Sequence, residues 1–398
     1  MTSELVARAE RQSAQVVALA QELIRRPSRG GVDDYGPVLA VLEEWLSGRG
    51  LPHRRLHDGD GLLVGLLVEV EGGRPGPWWT LDACLDTAGF GDESSWSFPP
   101  TAGDVVGTWL TGRGSADSKL AAAVFVHIAA DLHARAGDLR GGLAVLLDVD
   151  EHTGGFGGAR AYLADTHAHR PAGVMIGYPG LEEVVVGGRG LWRARITVHA
   201  PAGHSGSSRT VVGAISRTAR LVALLDSADL PGPPGRGERF PLGPKLTVTA
   251  IRGGEGFSVT PDRCELNVDV RTTPFFDEET ARTLVLKACS ELDAAMPGPA
   301  PTEVAQVAMW PPFQLRDDEQ PAAALLGAAR SLGLAVRPKV AGPSNIGSLL
   351  ALEGIAATAG FGLEHVGLHG IDERVDLSEL PRVTAVYHQA VLDLLDGN

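Results

Sequence analysis

The chain is short of cysteine, of aromatic residues and of basic charge, and it has no long apolar run. Cys84, Cys264 and Cys289 are the only cysteines in 398 residues, and none stands in CxxC spacing. That excludes a disulfide framework and fits a reducing, cytoplasmic compartment. The formal charge is −14, with no basic stripe, which excludes a nucleic-acid backbone as partner. No apolar stretch approaches the roughly 20 residues of a membrane span, so no membrane partner is expected. The amino-terminal segment places Leu5, Val6, Val16, Val17, Leu19, Ala20 and Leu23 as an amphipathic helix would, not as a secretory leader would.

What the chain does have is glycine (51 residues) and a 44% hydrophobic content, enough to fill two ordinary domains. Helical periodicity is expected over about 3–26 and through "YGPVLAVLEEWLSGRG". Strands are expected at "GLLVGLLVEV" and "WWTLDACLD", then a helix in "GRGSADSKLAAAVFVHIAADLHARA", then strands at "GLAVLLDVD" and "AGVMIGYPG". This alternation predicts an α/β fold, a mostly parallel sheet with flanking helices. Near residue 187 the pattern changes to β-α-β-β-α-β, as in a small two-layer α+β domain, with "LPGPPGRGERFPLGP" as a long loop inside it. The expected division is a discontinuous α/β domain over 1–187 and 313–398, with an inserted domain over 188–312.

Sites in open α/β sheets gather at the carboxyl ends of strands, so those ends hold the candidates. In "LDACLDTAGF" the two-residue period puts Asp82, Cys84 and Asp86 on one face, about 7 Å apart per step. Buried strand cysteines are usually small hydrophobes, and aspartates beyond a strand often cap a turn. Asp117 in "GRGSADSKL" reads equally as a helix N-cap. Glu151 and His152 follow the strand "GLAVLLDVD", Tyr178 lies in "IGYPG" and His369 in "LHGIDERVD"; each has an ordinary turn, packing or loop reading.

Taken in order, Cys84/Asp86, "GRGSADSK", "DEHTGGFGG", "IGYPG" and "HGIDE" resemble one family throughout. It is the zinc-dependent metallopeptidase family of aminoacylases, acetylornithine deacetylases, succinyl-diaminopimelate desuccinylases and glutamate carboxypeptidases. "VGGRGLWRARITVHAPAGHSG" and "VTPDRCELNVDVRTTP" resemble its lid and dimerisation domain. The resemblance implies Asp86 as an orienting acid, Asp117 as a bridge between two ions, Glu151 as general base on a metal-bound water, and His369 as a late ligand. It also implies His204 reaching across a homodimer toward the scissile carbonyl, Arg271 holding a substrate carboxylate, and Asn345 and Ser258 near the substrate. At three ligand positions the chain departs from the pattern: Cys84, His152 and Tyr178 stand where the family has a His and two acids.

Asp117, His152 and His369 would still form a catalytic zinc set. Cys84, Asp117 and Tyr178 form a poor one, since a phenol must lose a proton with an ordinary pKa near 10. One zinc ion or none is therefore expected, with cobalt or manganese as alternatives. The leading function is amide hydrolysis of an N-acyl amino acid or small peptide. A second is acyl transfer or amide formation by Cys84 with His152; a third is non-catalytic binding of a small molecule.

Overall fold

The computed structural model describes residues 2–208, 211–232 and 240–396, so part of the loop expected at 230–244 lies outside the described residues. The chain divides into two units: Met1–Gly187, Leu315–Lys339 and Asn345–Asn398 form the first, and Gly188–Gln314 with Val340–Ser344 the second. The second unit thus ends two residues beyond the expected 312 and takes in a further short segment. Two hydrogen bonds hold that segment: Arg189 N–H donates to Ala341 O at 3.1 Å, and Arg271 Nη1 to Ser344 Oγ at 3.4 Å.

The first unit is built on a six-stranded sheet in the order His53–His57, Leu63–Glu71, Arg140–Asp148, Arg74–Cys84, Gly173–Ile176, Ala356–Thr358. The first two strands pair antiparallel, as do Leu63–Glu71 and Arg140–Asp148; the remaining pairs are parallel. The fold class is therefore α/β with a mainly parallel sheet and flanking helices. Gly141 to Asp148 are all buried, which is why that strand is uniformly apolar rather than alternating: both faces are covered. The helix Leu120–His133 is apolar nearly all round for the same reason, with Leu120, Ala123, Val124, Ile128 and Leu132 among its buried residues. No helix among the described residues is long and apolar enough to cross a membrane.

Three neighbouring parallel strands end on the same edge of this sheet, and each runs directly into chemistry. Arg74–Cys84 delivers Cys84 and Asp86, Arg140–Asp148 delivers Glu151 and His152, and Gly173–Ile176 delivers Tyr178. The turn after Arg140–Asp148 is tight. Asp150 takes a positive φ of 75°, and Phe156 N–H closes on Asp150 O at 2.9 Å. The chain then doubles back as the helix Gly157–Ala164, and its second residue, Gly158, lies against Asp148 and Val64.

The second unit has an antiparallel four-stranded sheet in the order Lys245–Gly253, Arg263–Thr272, Gly190–His199, Glu303–Trp310. Its even-numbered central residues, Trp192, Ala194, Ile196, Val198, Leu266, Val268 and Val270, form one core with Leu221, Leu225, Val285 and Leu292. Those last four belong to the helices Ala214–Asp226 and Glu278–Ala295, which cover that face. The odd-numbered residues, Arg193 and Asp269 among them, share the opposite face by register.

Gly158 tests the turn that carries Glu151 and His152. A Cβ there would lie 2.5 Å from Val64 O and meet Asp148 Cβ, neither of which can move without disturbing the sheet. Gly158→Ala is expected to destabilise the protein by about 1–3 kcal/mol, read as a lower urea midpoint.

Candidate active site

Asp117 is the residue around which the others converge. It lies in the helical turn Ser115–Lys119 with non-helical φ −122° and ψ 94°, and it is buried. Its Oδ2 meets His369 Nε2 at 2.8 Å and His152 Nε2 at 3.3 Å, while the Cys84 thiol faces its Oδ1 at 3.6 Å. Asp117, His152 and His369 offer ligand atoms within 4.8 Å of one another, and so do Cys84, Glu151 and His152. His152 is common to both groups.

Asp86 has a different partner from the one the resemblance implies. Its carboxylate accepts the backbone N–H of Glu151 at 3.1 Å and of His152 at 2.9 Å, and lies 3.4 Å from His152 Nδ1. Position 84 holds a thiol where the resemblance implies an imidazole, and the contacts of Asp86 run to His152 instead. Both His152 ring nitrogens are buried and make no hydrogen bond, although carboxylate oxygens of Asp86, Asp117 and Glu151 approach to 3.3–3.5 Å. Buried imidazole nitrogens normally find partners, so this arrangement is one in which ligand atoms are held open.

The electrostatics follow from burying several acids together. Burial works to lower the His152 pKa, but Asp117 and Asp86 outweigh it and raise it to about 11. Burial likewise pushes Asp117 up, and the His152 and His369 imidazoles beside it override that and hold it well below the usual carboxylate range. Glu151 rises to about 7, through burial first and then the charge of Asp117. Burial, then Asp117, Glu151 and Asp86, push the Cys84 thiol well up. Tyr178 is raised far above a normal phenol by burial and the same acids. Neither Cys84 nor Tyr178 is therefore a ready anion, which weighs against a thiolate nucleophile.

The remaining predicted residues have local surroundings of their own. Asn345 caps the helix Ile346–Leu352, its Oδ1 accepting from Gly347 N–H at 2.9 Å. In the second unit, His204 is exposed on the short strand Gly203–His204, which pairs with Val259–Thr260. Its Nδ1 accepts from Gly206 N–H at 3.0 Å, and Ser205 N–H donates to Ser258 O at 3.0 Å, so His204 and Ser258 share one hairpin-like cluster. Arg271 Nε donates to Asp269 Oδ1 at 2.7 Å, a salt bridge within its own strand.

Sequence reasoning missed a buried pair that holds the site together. Arg113 and Glu373 are 2% and 0% exposed and form an ion pair. Glu373 Oε1 also accepts backbone N–H groups from Gly114 at 2.9 Å, Ala116 at 3.1 Å and Asp117 at 3.4 Å. Arg113 Nη2 donates to Gly89 O at 3.0 Å and Gly370 O at 2.6 Å. The pair therefore ties the Asp117 turn to the loop of His369, whose φ is 58°. Both residues lie inside the quoted motifs "GRGSADSK" and "HGIDE", but nothing in the sequence marked them as buried. Asp148 was also passed over, and Asp82 was placed only as sharing a face with Cys84 and Asp86. Both are fully buried carboxyls, raised by burial and neighbouring acids, Asp82 to about 8, and so kept neutral beneath the site.

A model of Peptidase family M20/M25/M40 matches residues 84–393, and the chain belongs to that family of amide-bond hydrolases. Succinyl-diaminopimelate desuccinylase of Cereibacter sphaeroides is 26% identical over 397 residues, covering 95% of this chain and 98% of that protein. Among solved structures, the di-peptidase Dug1p of Saccharomyces cerevisiae has a TM-score of 0.77 at 14% identity, covering 100% of this chain and 99% of the other. YXEP of Bacillus subtilis, described as a dinuclear metal binding peptidase, has a TM-score of 0.71 at 16% identity, covering 96% and 98%.

Removing one member of a buried ion pair strands the other, at a cost of about 3–5 kcal/mol. Glu373→Ala should destabilise the protein by that much, read as a lower denaturant midpoint, and Arg113→Met added to it should recover a large part. A double variant no more stable than Glu373→Ala would mean the pair does not act as a unit.

Proposed function

We propose that the chain hydrolyses the amide bond of an N-acyl amino acid or small peptide, with Glu151 as general base beside a single divalent ion held by Asp117, His152 and His369. The observation that carries this is His152: two buried ring nitrogens without hydrogen bonds, set among the carboxylates of Asp86, Asp117 and Glu151. Two imidazoles and one carboxylate are an ordinary catalytic zinc set, and they suit cobalt and manganese as well. The other group of candidate ligands needs His152 a second time and would consume Glu151. That favours one ion over two. An ion held there supplies Lewis-acid polarisation of the carbonyl and makes a nearby water easier to deprotonate.

The residues of the chain do the rest. Glu151, with a pKa pushed up to about 7, takes a proton from the attacking water and returns it to the leaving amine. Asp86 fixes the backbone of Glu151 and His152 through two N–H bonds and keeps the base in register with the ligand. Cys84 and Tyr178 serve as neutral walls of the site. The relatives named above, a desuccinylase and a di-peptidase, support an N-acylated or peptide substrate. By the same resemblance His204 stabilises the developing oxyanion, Arg271 takes a substrate carboxylate, and Asn345 and Ser258 help position the substrate.

Homodimerisation through the 188–312 domain is part of this reading. The strand Lys245–Gly253 is the outer edge of its sheet and carries exposed residues such as Ile251, so it is available for pairing with a second copy. Sedimentation equilibrium should give the mass of two chains, and a monomer across the accessible concentration range would contradict it.

Hydrolysis of a panel of N-acyl amino acids, with metal content measured in parallel, tests the catalytic reading. Glu151→Gln should cost about 10²–10⁴ in kcat with metal content unchanged. His152→Ala should lose the metal and the activity together. Full turnover by Glu151→Gln would sink the proposal.

A further inference from the structure

The segment "PSRGG", residues 27–31, carries a glycine pair that the proposed chemistry does not use. It lies alongside the strand end that delivers Asp86. Thr87 N–H donates to Ser28 O at 2.9 Å, Gly30 N–H to Thr87 O at 2.9 Å, and the buried Ser28 hydroxyl to Leu85 O at 2.6 Å. The same segment is tied down on its other side. Arg29 N–H and Nε each donate to Asp33 Oδ2 at 2.8 Å, and Nη2 donates to Asp33 Oδ1 at 2.8 Å. The Arg29 guanidinium also lies 4.6 Å from the centre of the Phe90 ring, and Gly31 N–H donates to Tyr35 Oη at 3.1 Å. Gly30 therefore sits in a short strap held from both sides.

Gly30 lies directly against the site. A Cβ there would stand 3.2 Å from Asp86 Oδ2, 3.2 Å from His152 Cβ and 3.3 Å from Thr153 Cγ2. These distances are tighter than ordinary van der Waals contact, and a strap bonded on both sides cannot retreat, so a neighbour would have to give. Asp86 Oδ2 is the oxygen that accepts His152 N–H at 2.9 Å and lies 3.4 Å from His152 Nδ1. Gly30 does not take a positive φ, so the position uses its small size and not its conformational freedom. We propose that Gly30 is a positioning residue: by carrying no side chain it lets the strap close on Asp86 and His152, and so sets where the His152 ring stands. The step from ring position to ion binding rests on the single-ion reading of the proposed function; the step from Gly30 to the ring does not.

The test compares the full chain with Gly30→Ala, with Gly30→Ala plus Thr153→Ser, and with Val32→Ala, a change at an exposed residue of the same loop. Thr153→Ser removes Cγ2 and keeps the hydroxyl that donates to Asp150 O. Two quantities are read: the ring-nitrogen NMR signals of His152 in the metal-free chain, and zinc affinity by competition with a chromophoric chelator. Gly30→Ala should move the His152 signals and weaken zinc binding about tenfold. Adding Thr153→Ser should return both part of the way, and Val32→Ala should change neither. The proposal is overturned if Gly30→Ala leaves the His152 signals or the zinc affinity as in the parent, or if Thr153→Ser restores nothing. A parent chain that takes up no zinc would contradict the single-ion reading instead, and the His152 signals would then decide the role of Gly30.

Discussion

Asp117 is held as a charged group at a depth where only 2% of the residue is exposed, and its surroundings are arranged to keep it so. Desolvation alone would favour the neutral acid. His369 and His152 reverse that from two sides, at 2.8 and 3.3 Å. From behind, Glu373 gathers the backbone of the same turn while Arg113 neutralises Glu373 and anchors the His369 loop. Two segments more than 250 residues apart in sequence are thereby fixed against each other by buried charges, and the ligand geometry depends on that clamp.

The same crowding sets the chemistry of the rest. Asp86, Asp117 and Glu151 all lie near His152, and the charge of Asp117 works against ionisation of Glu151. Asp117 and Asp86 support the imidazole, while Glu151 is pushed toward neutral pH, where a general base works best. Where the resemblance implies a carboxylate ligand, His152 brings one negative charge fewer to a site that already holds an excess of them. Where it implies an imidazole stands Cys84, and Asp86 holds the His152 backbone.

How much of this was legible in the sequence varies by residue. The strand ends were, because uniformly apolar runs such as Leu143–Leu147 mark buried parallel strands and the polar residues that follow them must lie at the sheet edge. The β-α-β-β-α-β order of the inserted unit was visible as a change from apolar runs to alternation. The Arg113–Glu373 clamp was not, because a charged residue in a loop gives no sign of its burial when its partner lies 260 positions away. Asp82 was seen to share a face with Cys84, but its neutral state depends on full burial and then on the charge of Glu151, a matter of tertiary neighbours rather than pattern. The return of Val340–Ser344 to the second unit depends on contacts of Arg189 and Arg271, which leave no periodic trace.

The proposed single ion would lie in the position defined by Asp117, His152 and His369. Anomalous diffraction from crystals grown with excess zinc tests it most directly. The account predicts one anomalous peak per chain, within about 2.0–2.2 Å of a carboxylate oxygen of Asp117 and a ring nitrogen of each histidine. A second peak of comparable height, ligated by Cys84 or Tyr178, would contradict it.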